Sequence, residues 1–398
     1  MEWKEYQIQD VCRLINGRAY SNDEMLEHGK YKIVRVGNLS GGNSTWFYSD
    51  LELPADKYCH NGDLLFAWAC TFGPHIWKED NTIFHYHIWK IVEDKDVVDR
   101  RFFYYYLKFA TGGFLGALNG SVMVHITKSS MEKMIIRIPK KLEDQRRIAS
   151  ILSSLDRKIE LNNKINADLE EMAQAIFKNW FVDFEPFKDG KFVDSELGMI
   201  PEGWKVGRAD DFYQINIGKT PPRKEHIWFS TNPADKIWVS IANMGNSGIF
   251  ISDSSEYLTK EAVDRHNIIM VPRNTILLSF KLTVGRVAIA DKELTTNEAI
   301  ARFILSDDKY MEYLYLYLKK YDYNSLGSTS SIATAVNSKT IKGMQMLQPS
   351  DNVIDAFHIQ VNPIFEKIRS LTKENSRLSL LRDTLLPRLM SGELEVPE

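Results

Sequence analysis

WKEYQIQDVCRLINGR at residues 3–18 and WKVGRADDFYQINIGK at 204–219 both open on tryptophan and reach a glycine after the same interval, Trp3 to Gly17 and Trp204 to Gly218. Between these landmarks the two stretches share a strand-like apolar rhythm, the mark of a duplicated structural unit. Further pairs follow in the same order. YKIVRVGNLSGG (31–42) answers KIWVSIANMGNSG (236–248), with Asn38 against Asn243. GDLLFAWACTFG (62–73) answers NTILLSFKLTVG (274–285), pairing Leu64 with Ile276 and Gly73 with Gly285, and HYHIWKI (85–91) answers NEAIARF (297–303) at the same offset. The tyrosine-rich RRFFYYYLK (100–108) has its counterpart in YMEYLYLYLK (310–319), and IIRIP (135–139) in QMLQP (345–349). A single match would be coincidence, but matches kept in one order along the whole chain are a repeat. Within each unit the apolar runs are short and β-rich, punctuated by Gly, Asn and Asp, which predicts an α/β domain with a mainly β core.

Each copy ends on proline, and there the period changes from two to seven. Ile148, Leu155, Asn162, Leu169 and Ile176 recur as one seam, with Ile151/Leu152, Ile159, Ile165 and Met172/Ala173 as the other. Phe357, Ile364, Leu371, Leu378 and Leu385 repeat the spacing after the second copy. Two matching seams in one chain predict an antiparallel coiled coil with the globular units at opposite ends. At about 1.5 Å per residue, Ile148 to Ile176 would span roughly 43 Å. Asn162 either fixes the register or is a solvated or locally paired polar residue. Pro363 marks a kink or the start of the coiled part. Glu170 and Glu171 are expected on a solvated outer face.

At 398 residues the chain exceeds one ordinary core, so two domains with connecting elements are expected. No run of about 18 uncharged apolar residues occurs, and the charged N-terminus lacks a signal-peptide core, which predicts a cytoplasmic protein. Cys12, Cys59 and Cys70 are too scattered for a disulfide framework or a zinc site and read as reduced thiols. The net charge of -3 runs against the basic excess usual for phosphate binding. Lys plus Arg balance Asp plus Glu at 17 to 17 over residues 1–140, and stand at 18 to 16 over 200–350. Any basic, phosphate-binding surface must therefore be one-sided.

The stretch EDQRRIASILSSLDRKIELNNKINADLEEMAQAIFKNWFVDFEPF (143–187), then LGMIPEGWKV (197–206), then LRDTLLPRLMSGELEV (381–396), resembles the shared regions of specificity (S) subunits of type I restriction-modification systems. The resemblance covers essentially the whole chain. It implies an α+β architecture of two similar α/β target-recognition domains, at 1–141 and 201–350, separated by two helical regions. The first is the coiled-coil spacer at 142–185, followed by a linker at 186–200; the second is 351–398 with its tail. It also implies a non-catalytic subunit that reads a split double-stranded DNA target and assembles two methyltransferase (M) subunits and restriction (R) subunits upon it. No cofactor is then expected on this chain; S-adenosylmethionine, ATP and Mg belong to the partners.

Base reading needs paired donors and acceptors, and phosphate anchoring needs cations and hydroxyls, on loops held by a rigid scaffold. Corresponding loops of the two copies supply them. GRAYSN (17–22) offers Arg18 and Tyr20, and GKTPPRK (218–224) offers Lys219, Thr220, Arg223 and Lys224. NLSGGNST (38–45) carries Asn38, Ser40 and Asn43, against Asn243 and Asn246 in NMGNSG (243–248). AWACTFGPH (67–75) holds Thr71, against Lys281, Thr283 and Arg286 in SFKLTVGR (279–286). The last pair is NGSVMVH (119–125), with Ser121 and His125, and GSTSSIAT (327–334), with Ser328, Thr329 and Ser330. Ordinary turn chemistry competes with DNA contact at every one of these residues. The tyrosine helices are expected to pack rather than to stack on bases.

A catalytic site is not legible. GKT at 218–220 lacks the upstream glycine of a phosphate loop because position 213 is Tyr, and TNPAD (231–235) is not the Asn/Asp-Pro-Pro-aromatic signature of an amino-methyltransferase. A coiled-coil scaffold that binds only protein is the remaining alternative.

Overall fold

The computed structural model describes residues 1–39, 44–69, 72–117, 126–326 and 336–396. The chain divides into two compact units, Met1–Ile159 with Arg377–Glu398, and Glu160–Ser376. The division falls inside each of the two long helices, Leu142–Phe181 and Asp351–Ser391.

In the first unit Trp3–Gln7 pairs antiparallel with Ile135–Pro139, Trp3 opposite Pro139. A four-stranded sheet runs in the order Cys12–Asn16, Ile88–Glu93, Leu64–Ala67, Gly73–Ile76; another runs Phe47–Ser49, Tyr31–Val34, Thr82–Phe84, Tyr58–Cys59. The second unit repeats the plan. Lys205–Arg208 pairs with Gln345–Gln348, and the larger sheet runs Gln214–Ile217, Ile300–Ile304, Ile276–Ser279, Val287–Ala290, Phe250–Ile251. Its companion has Lys236–Val239 parallel to Thr295–Thr296, as Tyr31–Val34 is parallel to Thr82–Phe84 in the first unit. Leu64–Ala67 and Ile276–Ser279 are buried at every position, which is why they read as continuous apolar runs rather than alternating ones.

The repeat extends to individual hydrogen bonds. In the first unit Gly17 N donates to Ile88 O, Arg18 N to Phe84 O, His85 N to Val34 O and Trp68 N to His87 O. In the second the same four are Gly218 N to Ile300 O, Lys219 N to Thr296 O, Asn297 N to Val239 O and Phe280 N to Ala299 O. The paired glycines have a steric cause: a Cβ would lie 2.2 Å from His85 O at Gly17 and 1.9 Å from Asn297 O at Gly218. Gly73 and Gly285 both hold positive φ, at 140° and 91°.

The tyrosine helices pack, as expected. Tyr106 and Tyr317 each accept the backbone N–H of the following strand, Arg137 at 3.2 Å and Leu347 at 3.1 Å. Tyr105 donates to Asp156 at 2.6 Å, and the Tyr313 hydroxyl donates to Leu347 O. Cys12 and Cys59 are buried free thiols, each pushed up to about 12 by burial and so held protonated; Cys70 lies outside the described residues.

Within each unit the helix segments pair and also complete the globular core. In the first, Ile148, Ala149 and Leu152 share a cluster with Leu386, Leu389 and Met390 and with Phe102, Tyr105 and Tyr106. Arg382 reaches Asp156 at 2.7 Å. In the second, Asn162 meets Asn375 while Phe181 meets Phe357 at 4.8 Å, so the segments run antiparallel. All ten seam residues are buried or half-buried. Of the Met172/Ala173 pair expected at the seam, Ala173 is buried there and Met172 is 54% exposed. Two expectations are corrected. Glu170 is not merely solvated, since it accepts Tyr315 Oη at 3.0 Å and pairs with Lys319 at 3.4 Å. Pro363 does not begin the coiled part: the helix starts at Asp351 and runs through an exposed Pro363, where solvent can satisfy the freed carbonyl.

The two quoted motifs seat the first tryptophan of each copy. Trp204 lies among Phe181, Phe184 and Phe187 of WFVDFEPF, with ring centroids 5.7, 5.7 and 5.1 Å away. Trp3 lies on Gly392 of LMSGEL, whose φ is 79° and where a Cβ would come within 2.9 Å of the indole.

Candidate nucleic-acid interface

Those shared backbone bonds make a hub. In the second unit the segment Thr296–Ile300 ties down Lys219, Val239 and Phe280, so three of the expected loops start from one place. In the first unit Phe84–Ile88 ties down Arg18, Val34 and Trp68 in the same way. The side chains mounted on this common frame differ: Arg18 against Lys219, Trp68 against Phe280, Tyr86 against Glu298.

The first unit presents fewer donors than its sequence suggests. Arg18 forks onto Glu24 at 3.1 and 2.6 Å and holds that carboxyl below its usual range by hydrogen bonding. Tyr20 is corrected as a DNA contact: it is 8% exposed, packs on Ile33 and Ile83, and burial pushes its hydroxyl well above the ordinary tyrosine range. An apolar ring beside β-branched neighbours is worth more in the core than in water. Asn38 closes its own turn, accepting from Arg35 N at 3.0 Å and donating to Ser44 O at 3.3 Å. Ser40, Asn43, Thr71, Ser121 and His125 lie outside the described residues. His75, half-buried, titrates below the usual histidine range because of burial.

In the second unit Lys219 donates to His266 O at 2.6 Å and Thr220 to the Glu298 carboxylate. Arg223 is exposed, forked onto Glu256 at 2.6 and 3.1 Å and stacked over Phe229 and Trp238 at 4.3 and 4.4 Å. Asn243 caps its helix by accepting from Ser240 N at 2.9 Å. Asn246 ends that helix. Arg286 is half-buried and donates to Ile241 O at 2.8 Å, a strut that fastens the 279–286 loop to the 240–248 loop. Lys224, Lys281 and Thr283 stand exposed. Ser328, Thr329 and Ser330 lie outside the described residues.

Two features escaped the residue-type reading, which looked for polar groups. Trp68, Tyr86 and Trp89 line a cavity of about 380 Å³ with Asn16 and Lys128 in the first unit. Leu282, between Lys281 and Thr283, is 99% exposed. Only its place between two donor-bearing residues in a short loop could have drawn attention to it.

The family described as type I restriction modification DNA specificity domain matches residues 1–171 and again 201–351. The chain belongs to this family. It is 28% identical to the type I restriction enzyme HindI specificity subunit of Haemophilus influenzae, over 99% of this chain and 100% of that protein. It is 32% identical to the MjaIX specificity subunit of Methanocaldococcus jannaschii, over 76% of this chain and 71% of that protein. The crystal structure of a type I restriction-modification S subunit from M. genitalium shares the fold, with a TM-score of 0.56 at 15% identity over 98% of this chain and 96% of that one. As a type I specificity subunit the protein is non-catalytic, and catalysis lies in other subunits of the system. Among the described residues no cluster of His, Cys, Asp and Glu could hold a metal ion, and no helix is long and apolar enough to cross a membrane.

Proposed function

We propose that this specificity subunit reads a bipartite, asymmetric DNA target, one half with each unit, while its long helices set the gap and hold two methyltransferase subunits, to which restriction subunits attach. The observation that carries the reading is the duplicated hub with unlike side chains on it. One frame used twice gives two similar docking geometries. Different residues on each frame give different hydrogen-bonding faces to the major groove, where each base pair presents its own donor and acceptor pattern. The near-balanced charge fits a protein that shares phosphate binding with its partners, on which S-adenosylmethionine, ATP and Mg would reside.

Mapping methylated sites across the genome of cells carrying the system tests this. Two unlike half-sites at a fixed gap are expected, and exchanging residues 201–350 for those of a relative should replace one half-site and leave the other. A continuous or symmetric site would overturn the reading. So would a methyltransferase complex that shows no sequence preference against randomised competitor duplex, the behaviour of a scaffold that binds only protein.

A further inference from the structure

Leu282 occupies the tip of the 279–286 loop, 99% exposed, with φ at 62°. Thr283 N donates to Lys281 O at 2.7 Å across it, so Leu282 is the central residue of a γ-turn of the left-handed, strained kind. A leucine gains nothing in such a place by itself: the backbone costs on the order of 1–3 kcal/mol, and the side chain stays in water. Surrounding bonds nevertheless enforce the turn. Ser279 Oγ donates to Thr283 O at 2.6 Å and accepts Arg286 N at 3.0 Å; Ser279 N donates to Arg286 O at 2.9 Å; Gly285 N donates to Ser279 O at 3.0 Å. Gly285, at φ 91°, lies against the Tyr323 ring, and Arg286 ties the loop's base to Ile241 O. Lys281 and Thr283, one on each side of the leucine, are exposed, a cation and a hydroxyl suited to phosphate oxygens.

We infer that Leu282 is an apolar wedge that enters the DNA duplex at a base step of the half-site read by the second unit. The inference rests on the DNA-reading function proposed above. A wedge must drive bases apart at a cost of a few kcal/mol, so it has to be presented rigidly, and leucine is among the residues that serve this way. A rigid turn, a fully exposed leucine and flanking phosphate partners supply what that task requires.

The test uses the full chain assembled with its methyltransferase partners on duplexes carrying 2-aminopurine at successive positions of the mapped half-site. Wild type should show a fluorescence rise at one step. Leu282→Ala should abolish it and weaken specific binding about tenfold or more, with the salt dependence unchanged, while Leu282→Met should retain both properties. Sequence-specific binding by wild type is the control for the underlying function; its absence defeats that function and this inference with it. If wild type binds specifically and Leu282→Ala binds within twofold with the same fluorescence, the wedge alone is refuted. Loss of partner assembly in Leu282→Ala would refute it too, by assigning the leucine to a protein contact. So would a thymine-to-uracil duplex that reproduces the loss, which would make Leu282 a reader of the thymine methyl.

Discussion

The Asn162 amide donates to Glu374 Oε2 at 2.8 Å and to Asn375 Oδ1 at 2.9 Å, and Asn163 Oδ1 in turn accepts from Asn375 at 2.8 Å. Asn162 is fully buried. It is therefore a locally paired seam residue and not a solvated one, and the pairing also suits a register-setting role, because a slip would take the amide nitrogen away from both partners. Asn162→Asp should set a carboxylate against Glu374 and lower stability by about 1–3 kcal/mol. Glu374→Gln in the same chain should recover most of the loss, which a double-mutant thermal or urea melt would read directly.

Gly218→Ala should be severe for a residue with ordinary φ. Its Cβ would overlap Asn297 O and Thr296 O, at 1.9 and 2.4 Å, in the hub that launches three loops. A stability loss of about 1–3 kcal/mol or more is expected, with weakened duplex binding. Gly248→Ala, where a Cβ meets nothing within 4 Å, should be close to neutral in the same melt and binding assay.

Lys224→Ala and Lys281→Ala remove exposed cations that lie apart from the helix caps and struts. Each should weaken binding to all sequences alike and reduce the slope of log affinity against log salt by about 0.9. The pattern of methylated sites should not change. A changed site pattern would show base reading instead.

His85 is pushed down to about 4, first by burial and then by the nearby charges of His87 and Arg35. His75 and His87 are lowered in the same direction by burial. The folded first unit thus keeps these rings neutral where the unfolded chain, near the usual value of about 6.5, takes up protons. Stability should be level above about pH 6.5 and fall as pH drops from there towards 4. His85→Gln should flatten that slope in melts recorded across the window.

Much of the fold was legible because its signals are local. The Trp-to-Gly interval, the paired prolines and the seven-residue seam each follow from period and chain geometry, and the WFVDFEPF and LMSGEL motifs turn out to be the seats of Trp204 and Trp3. The candidate site was less legible. Arg18, Asn38, Asn243 and Arg286 have the right functional groups, yet Glu24, the backbone of Arg35 and Ser44, the Ser240 cap and Ile241 O engage them. Which partner takes a donor depends on residues brought together by folding, and no spacing in the chain announces it.

By itself the sequence determined that this protein is one α/β unit used twice, each copy followed by a long helix, because duplication and periodicity survive in residue order. Only the tertiary structure decided that Asn162 is matched across the seam, that Tyr20 belongs to the core, and that Leu282 stands out from a strained turn. Burial and hydrogen-bond satisfaction are properties of neighbours in space. A tyrosine or leucine in a loop reads the same along the chain whether folding covers it or leaves it bare.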